Sequence, residues 1–384
     1  MKILFIGQPY DIFLEQLIRN LKKRSSFQLD VLSWENPGDF YTQSSADHVF
    51  FLPFNEARTG MAKLRNRIKR LIYLRYYLRR FKGAYDIVHI QELNLLSHRS
   101  LWRLLKKVGR KIIVSPYGSD FYRVSVARKL RYAASLDDCA AITFISERMR
   151  DDFISFYKKY EKQSRICRFG SETTQFIDQV KGLNRESMAL EFSFPLNKIY
   201  VVCGYNGSPG QQHEQIITVL QDVVKDHPSI KNKCVFIFPM AYSHMQWRNK
   251  IERLLAESGL DYLIMKEMLN PEQVAKLRVL TDVMINVLVT DQLSSSMVET
   301  LYAGGVVING AWLPYLILQE QEPQAFYLTA VSIEAVGRRL ADVVAHLESY
   351  QLKCLNNKNA VSRFICWDET IAAWEMLYTE LGNC

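Results

Sequence analysis

The stretch Asp282–Pro314, DVMINVLVTDQLSSSMVETLYAGGVVINGAWLP, decides how this chain is read. Val283–Leu288 reads as a buried strand, Val289–Ser294 as a polar loop and Ser295–Tyr302 as a short helix. Gly304 and Gly305 stop that helix, and Val306–Asn309 is a second strand. Strand, loop, helix and strand in this order make one unit of a parallel sheet. The loop then lies at the carboxyl end of a strand, where open α/β sheets hold ligands. Ser294, Ser295 and Ser296 offer N-caps, and free N–H groups at a helix start can receive a phosphate. Asp291 and Glu299 bracket the loop and helix with seven residues between them.

That acidic pair, the Gly pair and the flanking strands resemble the donor-site motif of retaining glycosyltransferases of the GT-B fold. Family four of the sequence-based classification is the nearest pattern. The resemblance implies an α/β protein of two Rossmann-like domains facing each other across a cleft, with a C-terminal helix crossing back to the first. Asp291 stands where the family usually has Glu, whereas Glu299 fits.

A chain of 384 residues has two domains as its natural expectation. Hydrophobic residues at 48% and charged residues at 23% are ordinary for a globular protein. No apolar run reaches the roughly 18 residues of a membrane span. The opening MKILFIGQPYDIF lacks the long apolar core of a signal peptide. Seven Cys without a CxxC pair argue against a disulfide framework or a zinc site, and for a reducing, cytoplasmic compartment. The net charge of +9 is uneven: residues 1–170 carry +16 and residues 171–384 carry −7. Such asymmetry draws the first half towards something anionic.

Along the chain, Lys2–Gly7, Phe27–Trp34, His48–Phe54, Tyr85–Gln91, Lys111–Pro116, Ala140–Ser146 and Arg165–Phe169 read as strands of a first domain, 1–170. Between them, Arg58–Lys82 carries ten Lys or Arg and no acid. Leu64, Ile68, Leu71, Leu74, Leu78 and Phe81 recur at helical spacing, interleaved with Tyr73, Tyr76 and Tyr77. A basic amphipathic helix of this kind suits an anionic membrane surface; the plainer reading is a solvated face whose apolar stripe packs on its own domain. No nucleic-acid motif accompanies it, so nucleic acid is not expected as a partner.

Tyr117-Gly118-Ser119-Asp120 resembles the sugar-contacting HGxD loop of family four, with Tyr117 in place of the His. Gly118 would let the backbone approach a ligand, and Asp120 would bind a sugar hydroxyl or cap the helix Arg123–Leu136. Residues 171–197 read as a linker, 198–360 as a second, nucleotide-sugar-binding domain, and 361–384 as the crossover helix. Its apolar stripe is Trp367, Ile371, Trp374 and Leu377.

After the strand Lys198–Cys203 comes GYNGSPGQQH, a Gly-rich loop running into a helix, suited to a diphosphate. Family four usually places an Arg and a Lys here. This chain has neither from Ile199 to Val224, and Gln211, Gln212 and His213 occupy the place. The run, with Pro239–Tyr242 (PMAY), is similar to the acetamidofucosyl transferases of enterobacterial common antigen and their capsular relatives. A neutral His213 can still donate a hydrogen bond to a phosphate oxygen.

The resemblance implies a hexosyltransferase-type enzyme moving a sugar from a UDP-, GDP- or TDP-linked donor to a lipid-linked or polysaccharide acceptor. It would serve bacterial cell-surface glycan synthesis on the inner face of the membrane, with retention, no cofactor and no metal. Glu299 would accept from the ribose hydroxyls and Asp291 from the sugar. N–H groups of Leu293, Ser294 and Ser295, with Gly204, Asn206, Gly207, Gln212 and His213, would hold the diphosphate. A GT-B sugar-nucleotide epimerase and a catalytically inactive GT-B partner protein are the alternatives.

Overall fold

The computed structural model describes residues 1–7, 12–33, 44–51, 60–241 and 243–382; the side chains of residues 60–64 and 67 fall outside that description, as does Tyr242 of the PMAY run. The chain divides into two compact units, Met1–Gly170 with Trp367–Cys384, and Ser171–Cys366.

The first unit is built on a seven-stranded parallel sheet. Its strands are β1 (Lys2–Gly7), β2 (Gln28–Ser33), β3 (His48–Phe51), β4 (Tyr85–Gln91), β5 (Gly109–Ser115), β6 (Ala141–Phe144) and β7 (Ser164–Ile166), in the order β3-β2-β1-β4-β5-β6-β7. The central strands are apolar at nearly every position because both faces are covered. Alternate residues serve opposite cores: Leu4, Ile6, Val88 and Ile90 join one cluster, and Ile3, Phe5 and Ile87 the other.

Right-handed crossovers decide which helices lie on which face. The chain steps one way from β1 to β2 and the other way from β3 through β4, β5 and β6. Helix Ile12–Arg24 therefore covers one face, and helices Gly60–Arg80, Arg99–Leu105, Val126–Leu136 and Glu147–Tyr157 cover the opposite one. Helix Trp367–Gly382 returns to the face of Ile12–Arg24. Its Trp367, Ile371, Trp374 and Leu377 are buried there, as the stripe predicts. Trp374 Nε1 donates to the Arg168 carbonyl at 2.9 Å, and Trp367 Nε1 to Gln16 Oε1 at 2.9 Å. Tyr378 is joined to His89 Nδ1 at 2.7 Å. His89 also reaches Ser115 Oγ at 2.6 Å, so it is a structural histidine of this core.

The second unit holds a six-stranded parallel sheet of β8 (Ile199–Cys203), β9 (Cys234–Pro239), β10 (Tyr262–Met265), β11 (Val283–Asn286), β12 (Val306–Gly310) and β13 (Leu328–Ala330). The order β10-β9-β8-β11-β12-β13 puts its switch point between β8 and β11. Helices His213–Asp226, Met245–Ser258 and Ile333–Ala345 lie on one face with Val201, Phe236 and Ile285. Helices Pro271–Leu280 and Ser295–Ala303 lie on the other with Val202, Ile237 and Met284. The Gly pair has two separate causes. Gly304 takes φ +97° as the left-handed C-cap, and a Cβ on Gly305 would lie 2.7 Å from the Thr281 carbonyl oxygen.

Several elements differ from the sequence reading. Residues 171–197, expected as a linker, contain helices Thr173–Val180 and Arg185–Glu191, whose Ile177, Val180, Met188 and Ala189 are core residues of the second unit. Helix Asn357–Ile365 also buries Val361 and Phe364 there, so the return to the first unit begins at Trp367. The expected helix Arg123–Leu136 breaks at Ser125, which caps Val126–Leu136 by accepting from Arg128 N. In Gly60–Arg80 the apolar stripe is split: Leu74 and Leu78, with Phe81 just past the helix, face the core, while Ile68 is exposed with Ile72 and Tyr76. Arg58, the start of the expected basic helix, falls outside the described residues.

Candidate functional site

The organising stretch brings its loop to the switch point of the second sheet. β8 and β11 are hydrogen-bonded neighbours. The chain leaves β8 for helix His213–Asp226 on one face and leaves β11 for helix Ser295–Ala303 on the other. Two helix N-termini thus converge at adjacent strand ends, each carrying roughly half a positive charge. The loops are tied together, since Val289 N donates to the Gly210 carbonyl at 3.0 Å.

The Gly-rich loop is shaped by its own side chains. Asn206 Oδ1 accepts from Ser208 N at 2.9 Å and Ser208 Oγ from Gly210 N at 3.3 Å, which curls Pro209–Gln211 into a 3-10 turn. Gly204 has φ +70°, and a Cβ there would lie 2.6 Å from Gln211 Oε1 and 3.2 Å from His213 Nε2. Only glycine fits that position. Gln212 also stands at a positive φ of 61°. Its Nε2 donates to the Val287 carbonyl at 2.5 Å, so this side chain staples the two loops.

His213 opens its helix and is wholly buried, edge-on to Phe238. Neither ring nitrogen has a hydrogen-bond partner among the described residues. Burial pushes its pKa down to about 4, only partly opposed by the Cys203 backbone carbonyl, which lies outside hydrogen-bond geometry. The ring is neutral, so it presents one N–H donor and one acceptor. Gln211 Oε1 is likewise buried without a partner among the described residues.

Asp291 is held by phenols. Tyr315 OH donates to its Oδ2 at 2.6 Å and Tyr205 OH reaches the same oxygen at 3.5 Å, while Oδ1 accepts from Gln292 N at 2.8 Å. Burial, reinforced by the Asp291 charge, raises the pKa of both tyrosines, so both stay protonated donors. Beside them, Asn286 Nδ2 donates to Asn309 Oδ1 at 2.7 Å between partnered positions of β11 and β12.

Ser294 is the N-cap of Ser295–Ala303, its hydroxyl accepting from Met297 N at 3.2 Å. The N–H groups of the first turn have no intrahelical acceptor by geometry. Glu299 lies one turn on and is 5% exposed. The structure gives this carboxylate a basic partner. Arg278 Nε donates to Oε2 at 3.0 Å and Ser171 Oγ donates to Oε1 at 2.7 Å. Arg278 Nη2 also donates to Ser296 Oγ at 2.7 Å, which draws its charge to the first turn of the same helix.

In the first unit, Gly118 has φ +98° and opens the short helix Ser119–Tyr122. Asp120 is buried, with Oδ1 accepting from Tyr117 N and Gly118 N, each at 3.0 Å, and Oδ2 from Leu93 N at 2.7 Å. It organises its own loop instead of capping the helix after Arg123, a role that Ser125 fills. Burial raises its pKa against the pull of those N–H groups. Tyr117 OH donates to Gln91 Oε1 at 2.9 Å.

Sequence reasoning missed Tyr205, Tyr315, Arg278 and Ser171. Tyr205 lay inside the Gly-rich run, and Tyr315 one residue past the organising stretch. Asn286 ends β11 (VMIN) and Asn309 stands one residue before the end of β12 (VVING), a pattern that marks a polar strand end. Arg278 and Ser171 gave no local sign, because distant chain segments bring them to Glu299. Among the described residues, no three His, Cys, Asp or Glu side chains are placed to hold a metal ion, and no helix is long and apolar enough to cross a membrane.

No protein-family model matches the sequence, and no curated protein matches it. Solved structures do. Sucrose-phosphate synthase from Thermosynechococcus elongatus superposes with a TM-score of 0.77 at 13% identity, covering 99% of each chain. The Escherichia coli trehalose-6-phosphate protein bound to UDP-2-fluoro glucose gives 0.74 at 11% identity, over 100% of this chain and 99% of that one. Anabaena HepE in complex with UDP and glucose gives 0.70 at 14% identity over 100% of both. At such identities the likeness concerns the fold, and with the two parallel sheets and the returning C-terminal helix it shows that this chain has the GT-B fold of glycosyltransferases.

Proposed function

We propose that the protein is a glycosyltransferase that moves a sugar from a nucleotide-sugar donor to a lipid-linked or polysaccharide acceptor. The observation that carries this reading is the pair of helix N-termini converging at the β8/β11 switch point, beside a buried His213 that has no partner among the described residues. Such a site suits a diphosphate held by neutral donors and helix ends. The neighbouring folds described with UDP, UDP-2-fluoro glucose or UDP-glucose support a donor of that class. N–H groups around Ser294–Ser296 would stabilise charge on the departing diphosphate, which is electrostatic catalysis without a cofactor or metal. The sugar would lie near Asp291, whose phenol partners fix its orientation. Glu299 would reach a ribose only through the lone pairs that Arg278 and Ser171 leave.

Retention, and the tie to family four and the acetamidofucosyl transferases, rest on the sequence resemblance. So does a role in bacterial cell-surface glycan synthesis at the inner face of the membrane. Anionic lipid would be met through the basic helix Gly60–Arg80 of the first unit.

The test is a panel of UDP-, GDP- and TDP-sugars screened for thermal stabilisation, since a ligand that binds only the folded state raises the Tm. The best donor is then incubated with and without acceptor. Acceptor-dependent release of nucleoside diphosphate is expected. Conversion of the donor to an epimeric sugar nucleotide without acceptor would favour an epimerase, and a panel without any stabilising donor would leave an inactive partner protein.

A further inference from the structure

The helical layer on one face of the first sheet has an outer surface of unusual composition. Helices Gly60–Arg80, Arg99–Leu105 and Val126–Leu136 carry eight, two and three Lys or Arg, and no Asp or Glu. They are consecutive in that layer; its fourth helix, Glu147–Tyr157, does carry acids, and each is paired, Glu147 with Arg168, Asp151 with Arg150 and Asp152 with Arg148. Arg75 Nη2 donates to Ser100 Oγ at 2.9 Å, linking the first two. The turn Leu93–Ser97 links to the third, where Ser135 Oγ donates to the Leu96 carbonyl at 2.8 Å and Arg128 Nη2 to Asn94 Oδ1 at 3.0 Å.

Two of these helices turn large apolar side chains away from the core. Ile68, Ile72 and Tyr76 are 52%, 57% and 56% exposed, at successive steps of four residues. Val126 and Leu130 are 59% and 61% exposed, again four residues apart, while Tyr132 and Leu136 of the same helix are buried. Arg131 is exposed beside Leu130. The acids that follow this helix in the chain are already engaged: Asp137 accepts from Lys159 and Tyr160, and Asp138 from Lys106 and Trp102. Exposed apolar ridges set among cations, on helices without an acid, are the chemistry of an interface with anionic lipid. RNA would use the cations and leave the aliphatic ridge without a function.

We propose that Val126–Leu136 is a second contact for an anionic bilayer, with Val126 and Leu130 entering the lipid beside the ridge of Gly60–Arg80. This rests on the membrane reading given above and extends it from one helix to a two-ridged face. Two ridges fix the tilt of the first unit on the surface, which a single helix lying in the interface leaves free to rotate about its axis.

The experiment is sedimentation with phosphatidylcholine vesicles, with and without phosphatidylglycerol, on the full chain. Wild type should bind only the anionic vesicles. Val126→Ser with Leu130→Ser should bind them roughly tenfold more weakly, with Tm unchanged because both side chains are exposed. Arg131→Glu should weaken binding and make what remains less sensitive to salt, because fewer cations meet the anionic surface. Wild-type binding that the double Ser variant leaves intact would overturn this proposal and spare the membrane reading. Absence of wild-type binding would overturn both. A structured RNA bound equally by wild type and the double Ser variant, and displacing the vesicles, would also overturn it.

Discussion

Glu299→Ala separates an architectural carboxylate from a ligand-binding one. The substitution leaves the Arg278 guanidinium, itself 6% exposed, without its counter-charge. Breaking a buried pair by removing one partner costs about 3–5 kcal/mol, because the remaining charge stays desolvated. Loss of the Ser171 hydroxyl's acceptor adds about 1 kcal/mol. For a unit of this size each kcal/mol lowers Tm by roughly 2–4 °C, so the second unit should melt roughly 8–24 °C lower. Differential scanning calorimetry of the full chain reads this directly. A second variant sharpens it: Glu299→Leu with Arg278→Met replaces the pair by apolar groups and should recover most of the loss, since desolvation then vanishes from both sides. The competing expectation is a Tm within about 1 °C of wild type together with nucleotide affinity reduced roughly tenfold to a hundredfold. That outcome would refute the assignment of Glu299 to the Arg278 pair and return it to the ribose.

His213→Leu removes two buried nitrogens that have no partner among the described residues, so the unliganded protein should be as stable as wild type or more so, while diphosphate affinity falls about tenfold. Titration calorimetry with the best nucleoside diphosphate reads the second effect. The same variant tests pH dependence. With a folded pKa of about 4 against 6.5 unfolded, His213 makes the unfolded state bind more protons between those values. Its stabilising share is therefore present above pH 6.5 and lost as the pH falls towards 4, a change on the order of 3 kcal/mol that His213→Leu should abolish. His89, lowered by burial to about 3, gives the first unit a slope of the same sign that this variant leaves in place. Tyr315→Phe keeps the ring but strips the 2.6 Å donor from Asp291, which should cost about 1–3 kcal/mol in chemical denaturation and leave nucleoside-diphosphate affinity within about twofold. Gly305→Ala places a Cβ 2.7 Å from the Thr281 carbonyl oxygen and should destabilise by about 1–3 kcal/mol in the same assay.

The fold was legible where pattern and period agree. VMIN, VVIN, KILFIG and YDIVHIQ are short, mostly apolar runs of the kind a doubly covered parallel sheet buries, and each lies in a strand. The C-terminal stripe was readable because Trp367, Ile371, Trp374 and Leu377 fall on one helical face. Residues 171–197 were not readable as helices, since Thr173–Val180 and Arg185–Glu191 are short and owe their stability to packing by Ile177 and Met188. The basic helix showed its charge but not its rotation. Ile68 and Leu71 share a face on a wheel, and only the sheet beneath decides that Leu74 goes in and Ile68 stays out. At the site, the loops and caps were visible in Ser294 and the glycines. The partners of Glu299 and Asp291 were not, because hydrogen bonds from Ser171, Arg278 and Tyr205 are set by tertiary geometry that spacing does not encode.

The returning helix has a consequence for synthesis. The first unit is interrupted in the chain, with Ser171–Cys366 inserted whole between its two parts. On the ribosome the inserted unit has all its strands before Trp367 has been made. The first unit at that moment has its complete sheet but lacks the helix that closes one side. Trp374, Tyr378 and Leu377, which pack with Ile3, Phe5 and Leu17, arrive only after the whole inserted unit. Tyr378 must then find His89 across 289 residues. Until that happens an apolar sheet face stays open, and such faces bind chaperones or aggregate. A chain ending before Trp367 leaves the second unit complete and the first unfinished.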